Sequence, residues 1–318
     1  MAKKSPPQLS VARFFSNYGK SLDLELMSKE SGENLVIKEP TINRPGLALA
    51  GFFRYFAYKR LQVIGFAELS YLRRLSVAEC ETRLRDLFAR RIPGLIVARG
   101  RAVPPELLRI ANKTKTPIFR TPLITMQFIN AATLALEDAF APTTSEFGSM
   151  VDILGIGVLI KGKSGVGKSE CVLGLIERGY SLVSDDITRF KNIEGRELMG
   201  SSSDLTRFHM EVRGIGVINV AAIFGIGAVR SEKRLDLIVT LKDWNDVEDI
   251  ERTGIDREFM DILGIEIPHI TIPVRIGRDL ARLVEVAALD QKLKAMGNNA
   301  AQEFNNRLLQ AMKTKEIC

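Results

Sequence analysis

The sequence predicts a two-domain α/β protein, and three observations carry that expectation. Residues 8–140 alternate short apolar runs with helically spaced segments and hold no nucleotide motif. Residues 162–169 form a glycine-rich G-x-x-x-x-G-K-S stretch between an apolar, β-branched run and a helical one. Residues 141–146 are polar and Pro-bearing, and read as a linker. The expected division is an N-terminal α/β domain over 1–140, the linker over 141–146, and a second domain over 147–318. A chain of 318 residues is long enough to bury two such cores.

In the first domain, Val11 to Asn17 reads as a short helix, and Leu22 to Leu26 and Leu35 to Ile37 as strands. Ile42 to Leu47, with Pro45-Gly46, is a turn. Ala50 to Lys59 has helical spacing, with its aromatic residues as helix core and interface, and Gln62 to Phe66 reads as a strand. Val77 to Arg90 is a helix ending before Pro93, and Gly94 to Ala98 is a buried strand. Pro104-Pro105 opens a helix through Ala111. Pro117 to Thr121 is a strand, and Ile124 to Phe140 a helix stopped by Pro142. Arg90, Arg91, Arg99 and Arg101 form a mild basic cluster that reads as a solvated face.

The second domain is organised around the glycine-rich stretch, which matches the phosphate-binding P-loop pattern. Strands over 151–153 and 156–160 lead into it, and the helical run 170–178 follows, stopped by Gly179. Glycines let successive N–H groups turn onto phosphate oxygens, and the helix N-terminus adds positive field. Gly162, Lys163, Ser164, Gly165, Val166, Gly167, Lys168 and Ser169 are therefore the candidate phosphate-binding residues. Lys168 is placed to reach the outer phosphates and Ser169 to ligate Mg²⁺. Ser181 to Ser184 is a strand that delivers Asp185 and Asp186 at its C-terminal end, where ligands bind in open α/β sheets. An acid there suits Mg²⁺ binding, and the repulsion of a second beside it suits a raised pKa and proton transfer. A turn or helix cap is the alternative. Further strands fall at Val217 to Ile223, Leu235 to Leu241 and His269 to Pro273, and helices at Leu280 to Met296 and Asn299 to Met312.

Two further stretches hold candidates that stay open on residues alone. Glu211 and Arg213 precede Gly214 and Gly216; this is either a site or a solvated strand edge. Arg275, Gly277 and Arg278 form a turn that suits an anion equally as well as plain solvent.

Composition bounds the rest. A hydrophobic content of 46% with 26% charged residues is that of a soluble globular protein. The net charge of +7 comes from dispersed basic residues, which argues for phosphates or an acidic partner and against nucleic acid. Three cysteines without a C-x-x-C pair point to a reducing compartment, and two histidines leave little for a zinc site. No apolar run approaches the roughly 18 residues of a membrane span, and the basic N-terminus lacks an apolar signal core. The expected location is the cytoplasm.

Taken together, these stretches resemble the bacterial HPr kinase/phosphorylase family. The motifs are G-x-S-G-x-G-K-S-E over 162–170, V-S-D-D over 183–186, E-V-R-G-I-G-V-I-N-V over 211–220, F-G-x-G-A-V over 224–229, I-P-V-R-x-G-R over 272–278 and V-E-V-A-A over 284–288. N-terminal matches are I-N-R-P-G-L over 42–47, Gly51-Phe52 and Q-V-I-G over 62–65. The resemblance implies a small α/β domain followed by a P-loop kinase domain similar to phosphoenolpyruvate carboxykinase, with C-terminal helices. It implies phosphorylation of a serine of the phosphocarrier HPr by ATP or pyrophosphate, reversal by inorganic phosphate with release of pyrophosphate, and a homo-oligomer, a hexamer. By the same resemblance Lys168 binds phosphates, and Ser169 and Glu211 bind Mg²⁺. Asp186 is the catalytic carboxylate with Asp185 its acidic neighbour, and Arg252 is the catalytic arginine. The 210–219 stretch, with Arg213, Gly214 and Gly216, serves both directions. The segment 273–278, with Arg275, Gly277 and Arg278, serves phosphorolysis.

Three positions depart from the family. Phe147-Gly148 stands where the family has His-Gly, Ile276 replaces a proline, and His269 stands where lysine is common. Without that histidine, kinase activity is the expectation and the reverse reaction is expected to be weak. A P-loop kinase acting on another hydroxyl is the alternative activity, and an ATP-sensing module without catalysis the alternative class.

Overall fold

A computed structural model describes residues 9–29, 35–247, 258–275 and 277–315 of the chain. The chain forms two compact units, 1–141 and 142–318.

In the first unit the elements run β1 (Leu9–Ser10), α1 (Val11–Tyr18), β2 (Glu25–Leu26), β3 (Val36–Ile37), β4 (Ile42–Asn43), α2 (Gly46–Leu49), β5 (Leu61–Ile64), α3 (Phe66–Arg74), α4 (Val77–Ala89), β6 (Leu95–Val97), α5 (Pro105–Thr114), β7 (Ile118–Arg120) and α6 (Thr125–Phe140). The main sheet has the order β2-β7-β6-β5-β4, with β4 to β7 parallel and β2 antiparallel at its edge. Alternate residues of the central strands feed two cores. Leu95 and Val97 pack with α4 and α5, whereas Ile96, Leu61 and Val63 pack with α1 and α6. Both faces are covered, so these strands read as continuous apolar runs.

Three expectations fail here. The expected turn over 42–47 holds β4 and the start of α2. Residues 50–59 form turns rather than a helix. The buried Gln62 donates to the carbonyls of Ala57 (2.9 Å) and Arg60 (2.7 Å), fixing the chain in a non-helical path. Of the aromatic residues in that stretch, Phe53 and Phe56 pack on the core, while Phe52, Tyr55 and Tyr58 are exposed. Phe66 ends no strand; it opens α3, where Glu68 accepts from the Gly65 N–H at 2.9 Å.

The second unit runs β8 (Thr143–Phe147), β9 (Ser149–Ile153), β10 (Ile156–Gly162), α7 (Lys168–Glu177), β11 (Ser181–Ser184), β12 (Ile187–Ile193), β13 (Glu197–Ser201), β14 (His209–Val212), β15 (Gly216–Asn219), α8 (Val220–Phe224), β16 (Glu232–Arg234), β17 (Leu237–Asp243), β18 (Glu258–Ile262), β19 (Ile265–Val274), α9 (Leu280–Ala295) and α10 (Ala300–Lys315). A six-stranded sheet of order β11-β9-β10-β17-β19-β18 forms its centre. One face packs Val158 and Ile160 against Val172, Leu175 and Ile176 of α7 and Val284 and Ala288 of α9. The other face packs Leu159 and Ile238 against Phe190 and Leu198 of a second, four-stranded antiparallel sheet, β16-β13-β12-β8. The 141–146 segment is thus a strand for most of its length, since β8 pairs with β12. The expected strand over 217–223 stops at Asn219, whose side chain accepts from Ala222 N–H and starts α8.

Strand direction places the site. β9 is antiparallel to both β10 and β11, so those two point the same way. β17 is parallel to β10, and β19 to β17. Four C-terminal strand ends therefore meet at one sheet edge.

Candidate active site

The glycine-rich loop joins β10 to α7 at that edge. Gly167 caps α7 with φ +98°, a left-handed conformation that side chains resist. A Cβ on Gly162 would stand 2.8 Å from the carbonyl oxygen of Leu241, so the strand end tolerates no side chain. A cleft of about 200 Å³ opens above, lined by Ser164, Gly165, Gly167, Lys168, Ser169, Glu170, Asp186, Glu211 and Arg213. Residues from the loop, from the end of β11 and from the β14–β15 hairpin thus face one another. Val166 packs toward the core instead. Lys163 turns outward, where Asp246 accepts from its ammonium at 2.7 Å and holds its pKa up.

The two aspartates separate. Asp186 has φ +55°, a turn that short polar residues tolerate, and its exposed carboxylate lines the cleft. Asp185 points to the scaffold: its carboxylate accepts from Ser149 Oγ at 2.7 Å and from the Glu211 N–H at 3.0 Å. Burial raises the Asp185 pKa most, and the Asp186 charge adds a smaller push. The two hydrogen bonds oppose both. The expected effect falls on Asp185, with desolvation rather than the neighbouring charge as its main cause. Neither carboxylate caps a helix.

Ser149 serves both acids, because its hydroxyl also accepts from the Asp186 N–H at 3.3 Å. Gly148 N–H donates to the Asp186 carbonyl at 2.8 Å. Glu211 sits on β14, and its hairpin turns through Gly214 and Gly216, both at positive φ. That Gly-x-Gly is a hairpin turn, and it brings Arg213 back so that its guanidinium donates to Ser164 Oγ at 2.8 Å.

Other expected residues stand apart from the cleft. The Arg275 guanidinium lies 4.9 Å over the Trp244 ring, and Arg278 donates to the Pro273 carbonyl at 3.1 Å. Gly277, at φ +85°, turns the chain between them. Arg252 and Ile276 lie outside the described residues. His269 sits inside the sheet, between Thr240 at 2.8 Å and Glu258 at 3.2 Å, with its pKa lowered mainly by burial. Phe147 is no core residue: it is 79% exposed at the end of β8. Sequence reasoning missed Glu170, Ser149 and Asp246. Glu170 follows the motif directly and was within reach of it; the other two are 36 and 83 residues from the groups they bind, with no local signal.

The donor set fits Mg²⁺. Ser169 and Glu211 offer two hard oxygen ligands on one cleft, and among the described residues no cluster of three His, Cys, Asp or Glu side chains could hold a metal unaided. Mg²⁺ is commonly held so, by one or two protein oxygens plus phosphates and water.

The fold and site define a mixed α/β protein whose charged cleft is built on a glycine-rich strand–loop–helix turn. The family model for the HPr serine kinase N terminus matches residues 9–136, and that for the HPr serine kinase C-terminal domain matches 138–308. The chain belongs to the HPr serine kinase family. An HPr kinase/phosphorylase of Halalkalibacterium halodurans is 45% identical, over 90% of this chain and 92% of the relative. One of Alkaliphilus metalliredigens is 42% identical, over 93% and 96% respectively. The solved HPr(Ser) kinase/phosphatase of Coxiella burnetii is 31% identical and covers 51% of this chain and 98% of its own, with a TM-score of 0.47. Among the described residues no helix is long and apolar enough to cross a membrane.

Proposed function

We propose that this protein is an Mg²⁺-dependent kinase that transfers a phosphoryl group from ATP or pyrophosphate to a serine of HPr. The observation that carries this is one cleft joining Lys168, Ser169, Asp186 and Glu211, in a chain 45% identical to an HPr kinase/phosphorylase. The glycine-rich backbone and Lys168 bind the polyphosphate. Ser169 and Glu211 would hold Mg²⁺, which when bound neutralises charge on the phosphates. The serine oxygen forms a bond to phosphorus as the bond to the leaving phosphate breaks, and the hydroxyl proton passes to Asp186. Asp185 is a positioning residue that holds the Glu211 backbone. Arg252 takes its role, stabilising the transferring group, from the family resemblance alone. The protein works in the cytoplasm as a homo-hexamer on this reading; a monomer mass by light scattering at micromolar concentration would count against the assembly.

Phosphorolysis is proposed to be weak. A free phosphate must be held in line as the nucleophile, and an imidazole beside Asp186 could donate to it. The Phe147 ring offers no such hydrogen bond. Incubation with HPr, Mg²⁺ and ATP or pyrophosphate should yield phosphoserine; its absence with both donors would refute the kinase assignment. Phe147→His should raise pyrophosphate release from phosphoserine-HPr. Equal forward and reverse rates in wild type, unmoved by the histidine, would defeat the directional claim.

A further inference from the structure

Beside the cleft lies an apolar pair that the chemistry above leaves unused. Phe147, 79% exposed, and Ile187, 48% exposed, are partners in the β8–β12 ladder. Ile187 directly follows Asp186. Outward positions of β12 continue from Ile187 to Arg189, while Thr188 and Phe190 point inward. Arg189 is paired with the exposed Ser145 of β8. The outer strip of these two strands is therefore apolar at the acid and basic one step further out.

We propose that this strip docks the protein substrate. An apolar side chain flanking the target serine of HPr packs on Phe147 and Ile187, and an acidic side chain of HPr meets Arg189. This rests on the function proposed above. Three observations select a protein surface as the occupant. The cleft has only about 200 Å³, lined by charged and polar groups suited to phosphates, so it leaves no room for a folded partner. A hydroxyl carried by such a partner reaches Asp186 only with its surrounding surface lying on the rim, and at Asp186 the rim is the end of β8 and β12. The chain's net charge of +7 favours an acidic partner. An exposed phenylalanine beside a reaction centre is of the aromatic type enriched at the cores of protein interfaces. Phe147 then acts in specificity, a role the absent imidazole would fill less well.

The test is steady-state phosphorylation of HPr at saturating ATP, with ATP affinity and assembly mass measured in parallel. Phe147→Ala should raise the KM for HPr about tenfold, with kcat and ATP affinity changed by less than about twofold. Phe147→Leu should recover most of that loss. Arg189→Glu should raise the same KM about fivefold and flatten its dependence on salt. If circular dichroism shows Phe147→Ala unfolded, Ile187→Ser carries the same expectation. An unchanged KM, or a fall in kcat at constant KM, would overturn the docking strip alone. A change of assembly mass in Phe147→Ala would show a second copy of the chain on the strip and also overturn it. Failure of the wild type to phosphorylate HPr is a separate result, and it defeats the parent function as well.

Discussion

The two units place parallel strands side by side in similar ways, yet only one holds a charged cleft lined by the glycine-rich loop. In the first unit, Gln62, Asn43, Arg44 and Glu68 at the sheet find their partners in one another and in the backbone. Gln62 is buried, donates to two carbonyls and accepts from Asn43 at 2.7 Å, and Arg44 is bound to Glu68 at 2.7 Å. In the second unit, Lys168, Glu170, Asp186 and Glu211 line open space at the strand ends. Polar groups that complete each other hold a fold; polar groups aimed at solvent along one edge are available for a ligand.

The largest expected break in that contrast is Lys168→Ala. Polyphosphate binding and turnover should both be lost, and near wild-type ATP affinity by calorimetry would remove the lysine from its role. Next comes Asp186→Asn, which should keep nucleotide affinity and lower phosphoryl transfer by about 10²–10⁴. A loss under about tenfold would mean that the proton needs no base there. Asp185→Asn sharpens the comparison within the acid pair. It places a donor against Ser149 or the Glu211 N–H, so the Mg²⁺ concentration for half-maximal activity should rise by about 10–100-fold. Burial raises the Asp185 pKa above its unfolded value, so its contribution favours folding at low pH and fades as pH rises through the folded pKa. Urea titrations across that acid range should show a flatter profile in the asparagine variant. The smallest effect on activity belongs to Gln62→Leu. It strands two carbonyls and Asn43, and should cost about 1–3 kcal/mol of stability with kcat unchanged.

Legibility in the sequence followed hydrophobic pattern. α4, α6, β6 and the β10–loop–α7 unit lie close to their expected bounds, because each has a strong period or a motif. β12 was missed although its burial alternates, since two inward positions are polar: Thr188 donates to the Gly148 carbonyl, and Asn192 to that of Leu263. Residues 50–59 misled because their aromatic spacing is helical while Gln62, from the next strand, dictates the path. At the site, the glycine-rich loop and Asp186 are legible as residue types, whereas Glu211 is singled out only by the family resemblance. The split between Asp185 and Asp186 is not, because it depends on a left-handed backbone and on a serine 36 positions upstream.

The turn after β8 has one more consequence. Asp186 is registered by the amide of Gly148 and the hydroxyl of Ser149, neither of which belongs to residue 147. The side chain at 147 therefore projects from a frame that does not depend on it. Exchange of histidine for phenylalanine there alters what stands beside the acid without moving the acid. The chemistry at position 147 can thus change while Gly148 and Ser149 keep Asp186 in place.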